Sequence, residues 1–324
     1  MEILTFVVFM LTLDGTSKLI SASPTPGKHP PEILYEVESK FQGKNLPYIK
    51  LHGLIGSKAF DGMFSLDSGC NHSLLFGVPK TGEDILRPAV LFVNPQISIG
   101  KAPLAVFDDS RFQSSFRDLY GAMKAIGIIG FDFFATHDVL IDYDAHKIYC
   151  SKQIAEKGVG SDSDPALFTE DFSGARKRVG LSNSVYMPTL EFAEGFCAVV
   201  LTSRKPTNIA FMIVDTGTDT STLPSTAVSH ECPPNATRIT IKGNFSDHNC
   251  WLESLVFEMG GGTVDPKPLI HVSVQPIKLK TDVAVGPDAQ NILSPQSIGG
   301  QLLFAFNQRM LLVLPGSRQI DGKK

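Results

Sequence analysis

The chain has 324 residues, 43% hydrophobic and 19% charged, with a formal net charge of 29 − 33 = −4. This is globular composition, which excludes a fibre or a disordered tail, and it lacks the basic field that binding nucleic acid through phosphates demands. Five cysteines with no CxxC pair argue against a zinc ribbon or a thioredoxin-type site, while 28 glycines, 21 prolines and short apolar runs favour a β-rich chain.

Ile3 to Leu13 form an apolar run of 11 residues. A bilayer span needs ~20. The length suits the hydrophobic region of a signal peptide, with Ser21-Ala22-Ser23 as small residues for cleavage, although Glu2 is present and Lys or Arg is absent ahead of it. A buried strand or an uncleaved N-terminal anchor is the alternative. Residues 1–22 are therefore assigned to a signal peptide and 23–45 to a Pro-rich lead-in or short pro-segment, which predicts a secreted or otherwise exported protein. No other run is long enough for a membrane span. Of the sequons at Asn71, Asn235 and Asn244, the first falls in the candidate site and is expected to stay bare.

An internal repeat organises the rest. Residues 64–75 read FSLDSGCNHSLL and residues 212–223 read MIVDTGTDTSTL. Each has apolar or small residues, then Asp-Ser/Thr-Gly, then Ser six and Leu eight positions after the Asp. The two Asp lie 215 − 67 = 148 residues apart. A closing unit follows in each half, at 126–149 and 291–314: an apolar pair, a short amphipathic stretch and an apolar strand. The predicted halves are 46–150 and 185–314, joined by a Gly-, Ser- and charge-rich connection at 151–184 and followed by a polar tail at 315–324. Pro47–Leu51, Gly62–Leu66 and Phe211–Val214 read as strands, Ser114–Ala125 as a short helix or turn, and Phe131–His137 as another short helix. Sustained helical periodicity is missing, so the predicted class is all-β.

An Asp-Ser/Thr-Gly turn at the end of a buried strand suits one chemistry. The strand delivers the carboxylate, the glycine lets backbone N–H groups approach it, and the Ser68 or Thr216 hydroxyl can bond the opposite half. Two carboxylates meeting across a pseudo-dyad cannot both ionise readily and share one proton. The ionised member takes a proton from water while the protonated member polarises a peptide carbonyl, without metal, cofactor or covalent intermediate.

Asp67-Ser68-Gly69, Asp215-Thr216-Gly217 and Ile128-Ile129-Gly130 resemble the hallmark motifs of pepsin-like and retropepsin-like aspartic proteases. The resemblance covers roughly 46–150 and 185–314, with Asp142 recurring 12 positions after Gly130. It implies a bilobal acid-protease fold with two β-barrel-like lobes. A cleft between them would hold an extended peptide, and the chain would be a monomeric endopeptidase with Asp67 and Asp215 catalytic. Ser68, Gly69, Cys70, Thr216, Gly217 and Thr218 would support the dyad from its own turns, and Ile128, Ile129, Gly130, Ile292, Leu293 and Ser294 from behind. Three departures stand out. Ser294 replaces the expected glycine of the second closing unit. Cys70 replaces a hydroxyl residue, so the donor expected from Thr218 to Asp215 would be weak on the Asp67 side. No flap Tyr is evident, and the flap is expected within Ile85 to Gly100 or somewhat beyond. The rival reading keeps the fold as an inert binding or scaffold protein.

Cys232 and Cys250, each two residues after a His, fit a disulfide clipping a surface loop better than a metal site, whose spacing they do not match. A thiol nucleophile at Cys70 with His72 lacks alignment on a turn. Gly260-Gly261-Gly262 reads as a loop tip. Arg176-Lys177-Arg178 reads as a solvated run, with a processing site as the sharper alternative.

Overall fold

A computed structural model describes residues 32–314 apart from 44, 78–85, 112–113, 154–166, 182–183, 193–195, 205–206, 229–230, 243–246, 260–261, 264–276 and 307–308. The leader-like run, Asn244, His230 and most of the glycine triplet fall outside the described residues.

Regular structure is almost entirely β. In the first half, Leu46–Ile55 and Lys58–Leu66 pair antiparallel across a turn at Gly56, whose φ of 60° favours glycine. They belong to a seven-stranded sheet that runs Ser39–Gln42, Leu46–Ile55, Lys58–Leu66, Ala125–Ile129, Leu74–Phe76, Ile97–Phe107, Leu86–Asn94. The last strand returns to Leu46–Ile55, with Phe92 opposite His52, so the sheet closes like a barrel. The second half curls in the same way: Asp247–Met259 pairs with Ile277–Gly286 and also returns to Phe196–Arg204.

The sequence repeat is also a repeat of strand pairing. Lys58–Leu66 lies parallel to Ala125–Ile129, and Leu74–Phe76 pairs antiparallel with that closing strand and parallel with Ile97–Phe107. Thr207–Val214 lies parallel to Ile292–Leu293, and Ser221–Pro224 pairs antiparallel with it and parallel with Ile277–Gly286. The halves join where Val139–Asp142 pairs with Gln301–Ala305. Asp142 anchors that seam: Oδ1 accepts the N–H groups of Asp144 and Ala145, and Oδ2 accepts Gln301 Nε2 at 2.6 Å. Phe131, Phe134, Phe304 and Phe306 pack together beneath, with ring centroids 5.5–6.0 Å apart.

Two sequence expectations change here, and the flap region takes a definite form. The lead-in and the connection both supply sheet strands: Glu32–Val37 is flanked by Lys147–Ser151 and Leu167–Glu170, and Arg176–Val179 adds an edge. Arg176, Lys177 and Arg178 are exposed on that edge strand, where charge discourages further pairing. The segment expected as a flap is a hairpin, Leu86–Asn94 with Ile97–Phe107, that buries Ala89, Leu91, Val93, Ile99, Ala102 and Leu104. Alternation of apolar residues along both strands makes it part of the barrel core. The expected disulfide is not formed: Cys232 and Cys250 are both free. The Cys250 sulfur is packed against Gly286 on the neighbouring strand, and the Cys232 thiol faces the carbonyl of Pro233 in its own loop.

Candidate active site

Each repeated turn begins where a strand reaches its buried end. Leu66 and Val214 are wholly buried, and their strands deliver Asp67 and Asp215 to the junction of the halves. The closing strands hold the turns from behind, because Asp67 N–H donates to Ile129 O at 2.9 Å and Asp215 N–H to Leu293 O at 3.0 Å. Ile128, Ile129, Ile292 and Leu293 thus act through backbone pairing, with Ser65 opposite Ile128 and Ile213 opposite Ile292.

The turns interlock through two buried hydroxyls. Ser68 Oγ donates to Val214 O at 2.7 Å and accepts Thr216 N–H at 3.1 Å. Thr216 Oγ1 donates to Leu66 O at 2.7 Å and accepts Ser68 N–H at 2.9 Å. The four bonds cross between halves 148 residues apart and satisfy buried backbone groups that would otherwise be orphaned.

This interlock sets the carboxylates against one another. A Cβ added at Gly69 would lie 2.3 Å from the Asp215 carboxyl carbon, and one at Gly217 would lie 2.4 Å from that of Asp67. Each glycine leaves the space that the opposite carboxylate fills. Gly69 N–H donates to Asp67 Oδ1 at 3.0 Å and Gly217 N–H to Asp215 Oδ1 at 2.7 Å. The two carboxyl groups therefore face each other across the interlock. Burial pushes both above the ordinary carboxylate range. Desolvation is the leading cause in both, and the neighbouring Asp215 charge adds to it at Asp67.

The two residues after the glycines act differently from expectation. Cys70 Sγ faces the carbonyl of His72 at 3.1 Å, and Thr218 Oγ1 donates to Thr220 O at 3.1 Å. Each closes its own turn rather than reaching a carboxylate. Burial next to Asp67 raises the Cys70 thiol, which keeps it protonated and removes any thiolate chemistry with His72. Asn71 sits in this turn, and its sequon serine, Ser73, is fully buried.

Several participants were not legible as such. Ser73 and Ser221 stood out as repeat positions, and the fold uses both in the same way. Their hydroxyls accept the N–H groups of Gly130 at 2.9 Å and Ser294 at 3.0 Å. Asp132 takes the Ser73 N–H and O–H on its two carboxylate oxygens, at 2.9 and 2.5 Å. Tyr48 and Tyr120 are buried close enough to the Asp67 charge for it to raise both phenols. Tyr48 reaches about 12, chiefly through burial, and bonds Ser65. Only the pairing of distant strands brings these groups together.

No family model and no curated protein sequence matches this chain. The functional reading rests on the geometry above.

Proposed function

We propose that this protein is an aspartic endopeptidase of pepsin-like, bilobal architecture. The observation that carries the reading is a pair of carboxyl groups set face to face, each filling the space left by the other turn's glycine, delivered by two copies of one turn and fixed by the crossed Ser68 and Thr216 bonds. Buried like charges destabilise a fold, and such pairs cluster where proton transfer is needed. One member of the pair holds the shared proton and donates it towards the scissile carbonyl oxygen, and the other, ionised, takes a proton from the attacking water. The resulting tetrahedral diol collapses with proton transfer to the leaving nitrogen. The substrate is an extended peptide between the halves, the chain acts as a monomer, and no metal or cofactor takes part. Among the described residues no helix is long and apolar enough to cross a membrane. We propose export on the leader-like run, Ile3 to Leu13, alone.

The deciding experiment is cleavage of an unfolded protein from pH 3 to 7, with and without a transition-state-mimicking aspartic protease inhibitor. Inhibitor-sensitive cleavage is expected. Asp67→Asn or Asp215→Asn should abolish it while the fold persists, and the double variant should be scarcely worse than either single one, because the pair acts as a unit. A protein that binds the inhibitor or peptides but cleaves at no pH would instead be an inert binding module.

A further inference from the structure

The turns carrying Asp67 and Asp215 match residue for residue, yet the segments behind them satisfy the same backbone atom by different means. In the first half, the carbonyl of Cys70, three residues after the aspartate, accepts Phe131 N–H at 2.7 Å. The matching acceptor in the second half is Thr218 O, and the matching donor position is Pro295, which has no N–H. Two side chains take its place. Ser294 Oγ donates to Thr218 O at 2.9 Å and Gln296 Nε2 donates to it at 3.2 Å.

The serine is possible only on this side. A Cβ at Gly130 would lie 2.6 Å from Cys70 O and from the carbonyl of His72, so the first closing unit requires glycine. Ser294 has φ −73° and ψ 116°, which any residue adopts, and it is fully buried. Its N–H still bonds Ser221 Oγ as Gly130 N–H bonds Ser73 Oγ. The departure from glycine is therefore coupled to the proline that follows it.

We infer that Ser294 and Gln296 are positioning residues for Asp215, supplying to Thr218 O the hydrogen bonds that Pro295 cannot. The inference rests on the aspartic-protease reading for its catalytic consequence but not for its geometry. If the turn loosens, Gly217 N–H aligns less well with Asp215 Oδ1, the ionised form loses a stabilising donor, and the pair titrates at higher pH.

The test is a double-mutant cycle on the full chain. Ser294→Gly should lower kcat about tenfold, the value of one buried hydrogen bond, with KM little changed. The Asp carboxyl ¹³C titration of the pair should move upward. Pro295→Ala alone should change little, because the side-chain donors remain. Ser294→Gly with Pro295→Ala should recover most of the loss, because the restored N–H reaches Thr218 O. Gln296→Leu, which removes the longer of the two side-chain bonds, should show a smaller shift of the same sign. Failure of Pro295→Ala to rescue Ser294→Gly, or an unmoved titration in Ser294→Gly, would overturn the assignment. If the wild-type chain cleaves nothing, the protease reading falls while the titration cycle still decides the positioning role.

Discussion

At the scale of single residues, the pH dependence follows from what does and does not reach the carboxylates. Both members of the pair are pushed up by burial, and among the described residues neither receives a side-chain hydroxyl or thiol, because Cys70 and Thr218 close their own turns. A raised pair needs a higher pH before one member ionises. Activity should follow a bell whose acid limb lies above that of a dyad buttressed by hydroxyl donors, with an optimum at roughly pH 4–6. Cys70→Ser should leave both limbs in place, since the new hydroxyl inherits the bond to His72 O. The measurement is kcat/KM against pH for both proteins, and a downward move of the acid limb in Cys70→Ser would show that the residue reaches Asp67 after all.

At the scale of elements, the closing strands depend on close backbone approach. Gly127 sits between Lys58–Leu66 and Leu74–Phe76, and a Cβ there would lie 2.1 Å from Leu74 O and 2.7 Å from the Phe64 ring. Gly127→Ala should cost at least about 2 kcal/mol, because backbone cannot yield as a side chain can. Gly121, in the helix Ser114–Ala122, meets nothing within 4 Å. Gly121→Ala should stabilise by about 0.5–1 kcal/mol through helix propensity. Urea unfolding of the two variants checks both signs. The Asp-Ser/Thr-Gly signature and the apolar pair before Gly130 were legible because each is local. The role of Asp132 was not, since nothing in the sequence says that Ser73, 59 residues earlier, donates to it.

At the scale of the whole molecule, stability against pH is set by opposed buried groups. His137 is wholly buried, stacked 4.1 Å from the Phe133 ring, with Nε2 against Ile99 O and Nδ1 against Thr136 Oγ1 and Phe133 O. Burial pushes it from 6.5 down to about 4. The folded state thus holds it neutral where the unfolded chain binds a proton. Its contribution is intact above pH 6.5 and is lost as pH falls towards 4, by about 3 kcal/mol in all. The carboxyl pair runs the other way: its raised pKa values mean the fold keeps protons the unfolded chain releases, so its cost grows as pH rises above 3.8. A His137→Gln variant should lose less stability between pH 6.5 and 4 than the wild type does, as measured by urea midpoints at each pH. Equal slopes would remove His137 from the account.

The β-rich class, the twofold repeat and the two aspartates could be read along the chain, because strand alternation, turn chemistry and a repeated motif are written in contiguous residues. What the intervening segments do depended on how distant strands pair. The region expected to hold the flap is a hairpin whose inner face joins the barrel core, the connection and the lead-in became sheet strands, and Cys232 and Cys250 stayed unpaired. The same dependence holds for Ser294, which stands where the first half has Gly130 and answers a missing N–H at Pro295 through the carbonyl of Thr218, 76 residues earlier. Hydrogen-bond satisfaction of buried backbone is a property of assembled neighbours, and those neighbours are chosen by strand pairing across the whole chain.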